Sequence, residues 1–137
     1  MAGADGATYE SRTVSVAVAR PPGEVYAFAA VPENLPRWAS GLGTDGERDG
    51  EAWVTRMDVG TVRVRIAPRN DLGVLDHDVT FPDGTVVTNP MRVVPNGAGS
   101  EVSFTLFRRP GVTAAAFDAD AATVLGDLRA LKRLLEG

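Results

Sequence analysis

At 137 residues, 44% of them hydrophobic, the chain has the length and apolar content of one domain with a sizeable core. A formal net charge of -4 with no cluster of Lys and Arg argues against nucleic-acid or anionic-membrane partners, because both are polyanions. Cysteine is absent, which removes disulfides, thiolate nucleophiles and cysteine zinc sites, and no apolar run approaches the roughly 20 residues of a membrane-spanning helix.

The start, MAGADGATYE, lacks the basic and apolar regions of a secretory signal, so a cytoplasmic protein without membrane insertion is the default. Residues 1–8 are small and polar and read as a disordered tail; residues 9–137 read as a single domain. Val14, Val16 and Val18 alternate with Thr13, Ser15, Ala17 and Ala19, the period of a half-buried strand. Arg20-Pro21-Pro22 stops that strand and suits the first turn of a helix, which carries Val25, Tyr26, Phe28 and Ala29. A second short helix is predicted over Pro32 to Trp38. The segment DGERDGE, Asp45 to Glu51, has little that is apolar and reads as a turn leading into a strand.

Repeated alternation follows. One strand places Trp53, Thr55 and Met57 on one face, and the next places Val62, Val64 and Ile66 opposite Arg63 and Arg65. Pro68 to Asp71 interrupts the pattern and Leu72 to Phe81 resumes it as a predicted strand. Pro82-Asp83-Gly84 is a hairpin turn, and Val86 to Val94 returns, with Pro90 implying an edge position or a bulge. Pro95-Asn96-Gly97 turns again into a last strand carrying Val102, Phe104 and Leu106. From Thr113 to Glu136, Phe117, Ala121, Val124, Leu128, Leu131 and Leu135 follow steps of three and four, one face of an amphipathic helix of about six turns. The expected fold class is α+β: a curved antiparallel sheet of about six or seven strands wrapped around a long C-terminal helix, with two short helices after the first strand.

The opening VSVAVARPPGEVYAFAAVPENLPRWAS resembles the start of the SRPBCC or START-like superfamily, which includes polyketide cyclase/dehydrase-like proteins and plant pollen-allergen-like carriers. There a strand runs into P-x-E-V-[WYF], here Pro22 to Tyr26, and then a D-P-x-x-[LY]-P-x-W helix. Pro32, Leu35, Pro36 and Trp38 fit that second motif, while Val31 stands where the acidic residue is usual. The end, GSEVSFTLFRRPG followed by FDADAATVLGDLRALKRLLEG, resembles the last strand and long helix of the same group. The resemblance implies a helix-grip fold around an apolar cavity that takes lipids, polyketides or other hydrophobic small molecules. It carries no universal catalytic motif, so function rests on the individual residues.

Alternation directs the apolar set of each strand toward the long helix, and three polar residues, Thr55, His77 and Asn89, fall on the same inward face. An apolar pocket with few polar groups is the usual form of a small-molecule site. The candidate ligand-binding set is Phe28, Trp38, Trp53, Thr55, Met57, Val64, His77, Asn89, Met91, Phe104, Phe117, Val124 and Leu128. Neither a metal site nor a cofactor is expected. In LDHDV, Leu75 to Val79, a strand sends Asp76 and Asp78 to the face opposite His77, so the three cannot converge on a metal and the aspartates are expected to keep the outer face wet.

Two readings of His77 remain open: it contacts a ligand, or it is satisfied internally by Asn89, Thr55, a backbone carbonyl or a buried water. The leading function is binding of a polyketide-, lipid- or aromatic-like molecule between sheet and helix. One alternative is a cyclase or dehydratase in which His77 is the catalytic acid or base and Asn89 and Thr55 stabilise developing oxygen charge. Another is an interaction module or homodimer formed through exposed apolar sheet surface.

Overall fold

The computed structural model describes residues 8–42 and 45–137; the tail read over residues 1–8 therefore lies, except for Thr8, outside the described residues. β1 (Ser11–Val18) turns Val14, Val16 and Val18 inward and leaves Ser11, Thr13, Ser15 and Ala17 exposed. The Pro21 carbonyl accepts from the backbone N–H groups of Glu24 and Val25 as α1 (Pro22–Ala29) begins. Pro supplies the helical φ and Glu24 complements the positive helix end. A 3-10 turn over Pro32–Asn34 leads into the single turn of α2 (Leu35–Trp38), which buries Leu35 and Trp38.

DGERDGE holds a strand, β2 (Gly46–Asp49), and only its end is a turn. β2 pairs antiparallel with β3 (Ala52–Met57), Gly46 opposite Thr55 and Arg48 opposite Trp53. Its side chains are exposed and polar because it is an edge strand, so hydrophobic alternation had nothing to report. Gly46 is required by a close approach: a Cβ there would stand 2.3 Å from Trp53 Nε1. β4 (Gly60–Ile66) then buries Val62 and Val64 and exposes Arg63 and Arg65, as alternation predicts.

The strand expected over Leu72 to Phe81 is shortened to β5 (His77–Thr80). Asn70 organises the preceding loop: its Oδ1 accepts from the N–H groups of Leu72 and Val74, and its Nδ2 donates to the carbonyls of Pro68 and Val74. Gly73, at φ +72, presses against the Val93 carbonyl, and Leu75 N–H donates to Met91 O. Residues 73–75 thus run beside a different strand from the one that β5 joins. Leu72, expected in the ladder, is 78% exposed.

Pro90 divides the stretch Val86 to Val94 into β6 (Val86–Asn89) and β7 (Met91–Asn96), which belong to different sheets. Lacking an N–H, Pro90 sits where the chain leaves one sheet for the other, and its carbonyl accepts from Thr105 of β8 (Gly99–Phe107). Eight antiparallel strands result among the described residues, in the orders β1-β8-β7 and β2-β3-β4-β5-β6. The excess over the six or seven expected comes from β2 and from the division at Pro90. The α+β class, the long terminal helix and the short helices after the first strand are as the sequence implies.

α3 (Ala114–Glu136) starts at Thr113, whose hydroxyl accepts from Ala116 N–H. Phe117, Ala121, Leu128 and Leu131 are buried along one face, each large aliphatic contributing roughly 1.5–3 kcal/mol by leaving water. The C-terminal end is tied to β1: Glu136 Oε2 accepts from Ala19 N–H and Lys132 Nζ, and Lys132 also donates to Ala17 O. α3 lies chiefly against β1 and α2, so the inner face of β5 and β6 is less completely covered, and His77, Val79, Val87 and Asn89 are only half-buried.

Candidate functional site

Strand register arranges the inner face of the five-stranded sheet in transverse rows. Trp53 pairs with Val64, Val64 with Val79 and Val79 with Val87; in the adjacent row Ile66 pairs with His77 and His77 with Asn89. Because side chains alternate along each strand, both rows face inward while the intervening Arg65, Asp78 and Thr88 face out. Across the core, Phe104 of β8 meets the His77 ring edge-on at 5.4 Å between centroids, and Met91 of β7 pairs with Phe104. Trp53, Val64, His77 and Asn89 therefore share the inner face of one sheet, and Met91 and Phe104 belong to the other, from which Phe104 meets His77.

Other predicted site residues go elsewhere or are already engaged. Thr55, buried in β3, donates its hydroxyl to Leu42 O at 2.8 Å, which joins β3 to the segment after α2 and leaves Thr55 out of the His77 network. Phe28 lies 5.1 Å beneath the Arg37 guanidinium, and Phe117 lies 4.9 Å beneath that of Arg12, so each has a ring face turned to a surface cation. Met57 is half-buried at the end of β3, Val124 is half-buried on α3, and Leu128 is fully buried in the core.

His77 is held at both nitrogens. Nδ1 lies 3.1 Å from Leu75 O and therefore carries the proton in the neutral ring, leaving the Nε2 lone pair toward Asn89 Nδ2, 3.5 Å away. Although the residue keeps some solvent exposure, its ring is enclosed by Leu75, Asn89 and Phe104. Burial pushes the imidazole below its ordinary value of 6.5, outweighing the upward pull of the Leu75 hydrogen bond and of Asp76 and Asp78. A neutral imidazole at neutral pH is an acceptor here, not a proton donor to a ligand.

Asp76 does not serve only to wet the outer face. Its Oδ1 accepts from the Met91 backbone N–H at 2.8 Å and from Arg92 Nη1. Immediately after Pro90 the Met91 N–H would otherwise be left unpaired between the two sheets, and a carboxylate supplies a strong acceptor. Asp78 does face outward and accepts from Thr88 Oγ1 at 2.6 Å. Alternation could not reveal the role of Asp76, because its partners lie across the junction rather than along the strand.

The tryptophans carry the remaining chemistry. Trp38 and Trp53 are each 6% exposed, and neither indole Nε1 has a hydrogen-bond partner among the described residues. A buried N–H without an acceptor costs about 1–3 kcal/mol. Both belong to the main hydrophobic cluster, with Leu35, Val64, Phe104 and Leu128. The segment following Trp38 is tied to α3 by Ser40 N–H donating to Asp127 Oδ1, and to β3 through Thr55 and Leu42. Surface clefts of about 270 to about 480 Å³ lie over Pro22, Tyr26 and Asn70, over Arg48 and Ile66, and over Val16, Arg129 and Arg133, and one of about 350 Å³ is lined by Tyr9, Val87, Asn89 and Phe107. Among the described residues no three His, Cys, Asp or Glu side chains gather as a metal site, and no helix is long and apolar enough to cross a membrane.

Residues 10–136 match the family described as "Polyketide cyclase / dehydrase and lipid transport". No curated protein matches. Among solved structures, the protein XoxI from Bacillus cereus is similar at a TM-score of 0.69 with 16% identity, over 91% of this chain and 94% of that one. Ara h 8.0201 is similar at 0.63 with 12% identity, over 92% and 97%. DynU16, a protein of the dynemicin biosynthetic locus, is similar at 0.68 with 16% identity, over 92% of this chain and 47% of that one. At such identities these likenesses speak for the fold alone, and the SRPBCC-type resemblance in the sequence is met by both kinds of match.

Proposed function

The chain belongs to the polyketide cyclase / dehydrase and lipid transport family, and from that premise we propose that it binds a hydrophobic small molecule against the inner face of the sheet, in the space between β3–β6 and α3. One observation carries the reading: two indole N–H donors are buried in an apolar cluster without acceptors among the described residues, an arrangement that costs stability unless something else supplies them. The half-buried inner face of β5 and β6, with Val79, Val87, His77 and Asn89, offers the adjoining apolar wall.

Binding is favoured over proton-transfer catalysis by the state of His77. Its Nδ1 faces a backbone carbonyl, its Nε2 faces an amide, and its lowered pKa makes it a weak base that stays neutral. The test is native mass spectrometry with thermal denaturation against polycyclic ketones, fatty acids and sterols. A bound ligand at a hundred times its Kd adds about 2.7 kcal/mol to stability, enough for a clear rise in Tm. The reading is overturned if none of the panel forms a one-to-one complex or raises Tm.

A further inference from the structure

The polar groups of the inner face differ in kind as well as in number. Trp38 and Trp53 offer N–H donors and cannot accept. Thr55 donates its hydroxyl to Leu42 O, which removes it as a free donor. His77 offers one lone pair, at Nε2, which Asn89 Nδ2 already approaches. No Lys or Arg occupies an inward position in rows Trp53–Val87 or Ile66–Asn89. Arg48 of β2 stands opposite Trp53 on the same face, but its guanidinium is engaged by both carboxylate oxygens of Glu33, while Arg63 and Arg65 face outward and pair with Asp49 and Glu51.

Resting on the binding reading above, we infer that the site selects an uncharged ligand bearing carbonyl-type acceptor oxygen on an apolar framework, received by the indole N–H groups of Trp38 and Trp53, and rejects carboxylates. Two physical reasons support the selection. An acceptor oxygen gains a hydrogen bond from a donor that has already lost its water, so little further desolvation is required of the protein. A carboxylate would have to shed its hydration beside an Arg48 that Glu33 already engages, and the charges that act on His77 are those of the acidic Asp76 and Asp78.

The chain has two tryptophans, so two indole N–H resonances report directly on the proposed donors. The experiment titrates the full chain, labelled with nitrogen-15, with three probes on one skeleton: fluorenone, fluorene and fluorene-9-carboxylate. Fluorenone is expected to bind and move at least one indole N–H signal downfield. Fluorene is expected to bind about tenfold more weakly without that shift, the size of one hydrogen bond gained, and the carboxylate not to bind. In Trp38→Phe and Trp53→Phe, fluorenone affinity should fall toward that of fluorene while fluorene affinity changes little, a difference that lost packing alone would not produce. If fluorene or the carboxylate binds as tightly as fluorenone, or both indole signals stay unmoved on fluorenone binding, the selectivity is refuted and the binding reading stands. If none of the three binds, the selectivity is refuted, and the wider panel of ketones, fatty acids and sterols decides the binding reading.

Discussion

Replacing Gly46 by alanine tests the close approach that shapes the Trp53 wall. A Cβ at position 46 would lie 2.3 Å from Trp53 Nε1, 2.4 Å from Cε2 and 2.6 Å from Cζ2, all inside van der Waals contact. The indole is 6% exposed and backed by Val64 across the strand, so it cannot swing away freely. Overpacking of this kind costs about 1–3 kcal/mol. Trp53→Phe alone loses part of the roughly 3–5 kcal/mol that complete truncation of such a residue costs. In the double variant the new methyl group occupies space that the smaller ring vacates, so the two losses should not add. Urea denaturation of the wild type, both single variants and the double variant gives the coupling, expected to be at least about 1 kcal/mol in favour of the double variant. Additivity within about 0.5 kcal/mol would refute the proposed contact.

Two further predictions concern the junction around β5. His77 has a folded pKa below 6.5, so the unfolded chain binds its proton first: stability is unaffected well above 6.5, falls as pH drops from there toward the folded value, and levels off below it. Denaturation curves across that range should show a slope that His77→Gln removes, and an unchanged slope in the variant would contradict the neutral, buried imidazole. Asp76→Ala should destabilise by about 2–3 kcal/mol, because it strips the Met91 N–H and the Arg92 guanidinium of a charged acceptor. Hydrogen exchange at the Met91 amide should quicken at the same time, whereas wild-type protection in the variant would place the acceptor elsewhere.

Where a pattern reports burial, the sequence anticipated the structure. Period-two alternation located β1, β3, β4 and β8, and steps of three and four located α3, because each element has one wet and one dry face. The same logic placed His77 and Asn89 on one face and Asp78 on the other, as the register bears out. It failed at β2, whose residues are exposed and polar, and at Leu72, whose apolar side chain sits on a loop tied by Asn70. Pro90 was readable as a disturbance of the ladder but not as the point where the chain changes sheets.

The sequence by itself determined the α+β class, the family and the inward face of strands such as β3, β4 and β8, since these follow from local periodicity and from motifs such as Pro32 to Trp38. Only the tertiary structure decided which polar groups are engaged. Thr55 meets Leu42, Asp76 meets Met91 and Arg92, and the indole N–H groups of Trp38 and Trp53 meet no acceptor among the described residues. The physical reason is that a hydrogen bond needs its partner within about 3 Å in a set direction. Here those partners lie on elements brought together only by the packing of the two sheets and the helices.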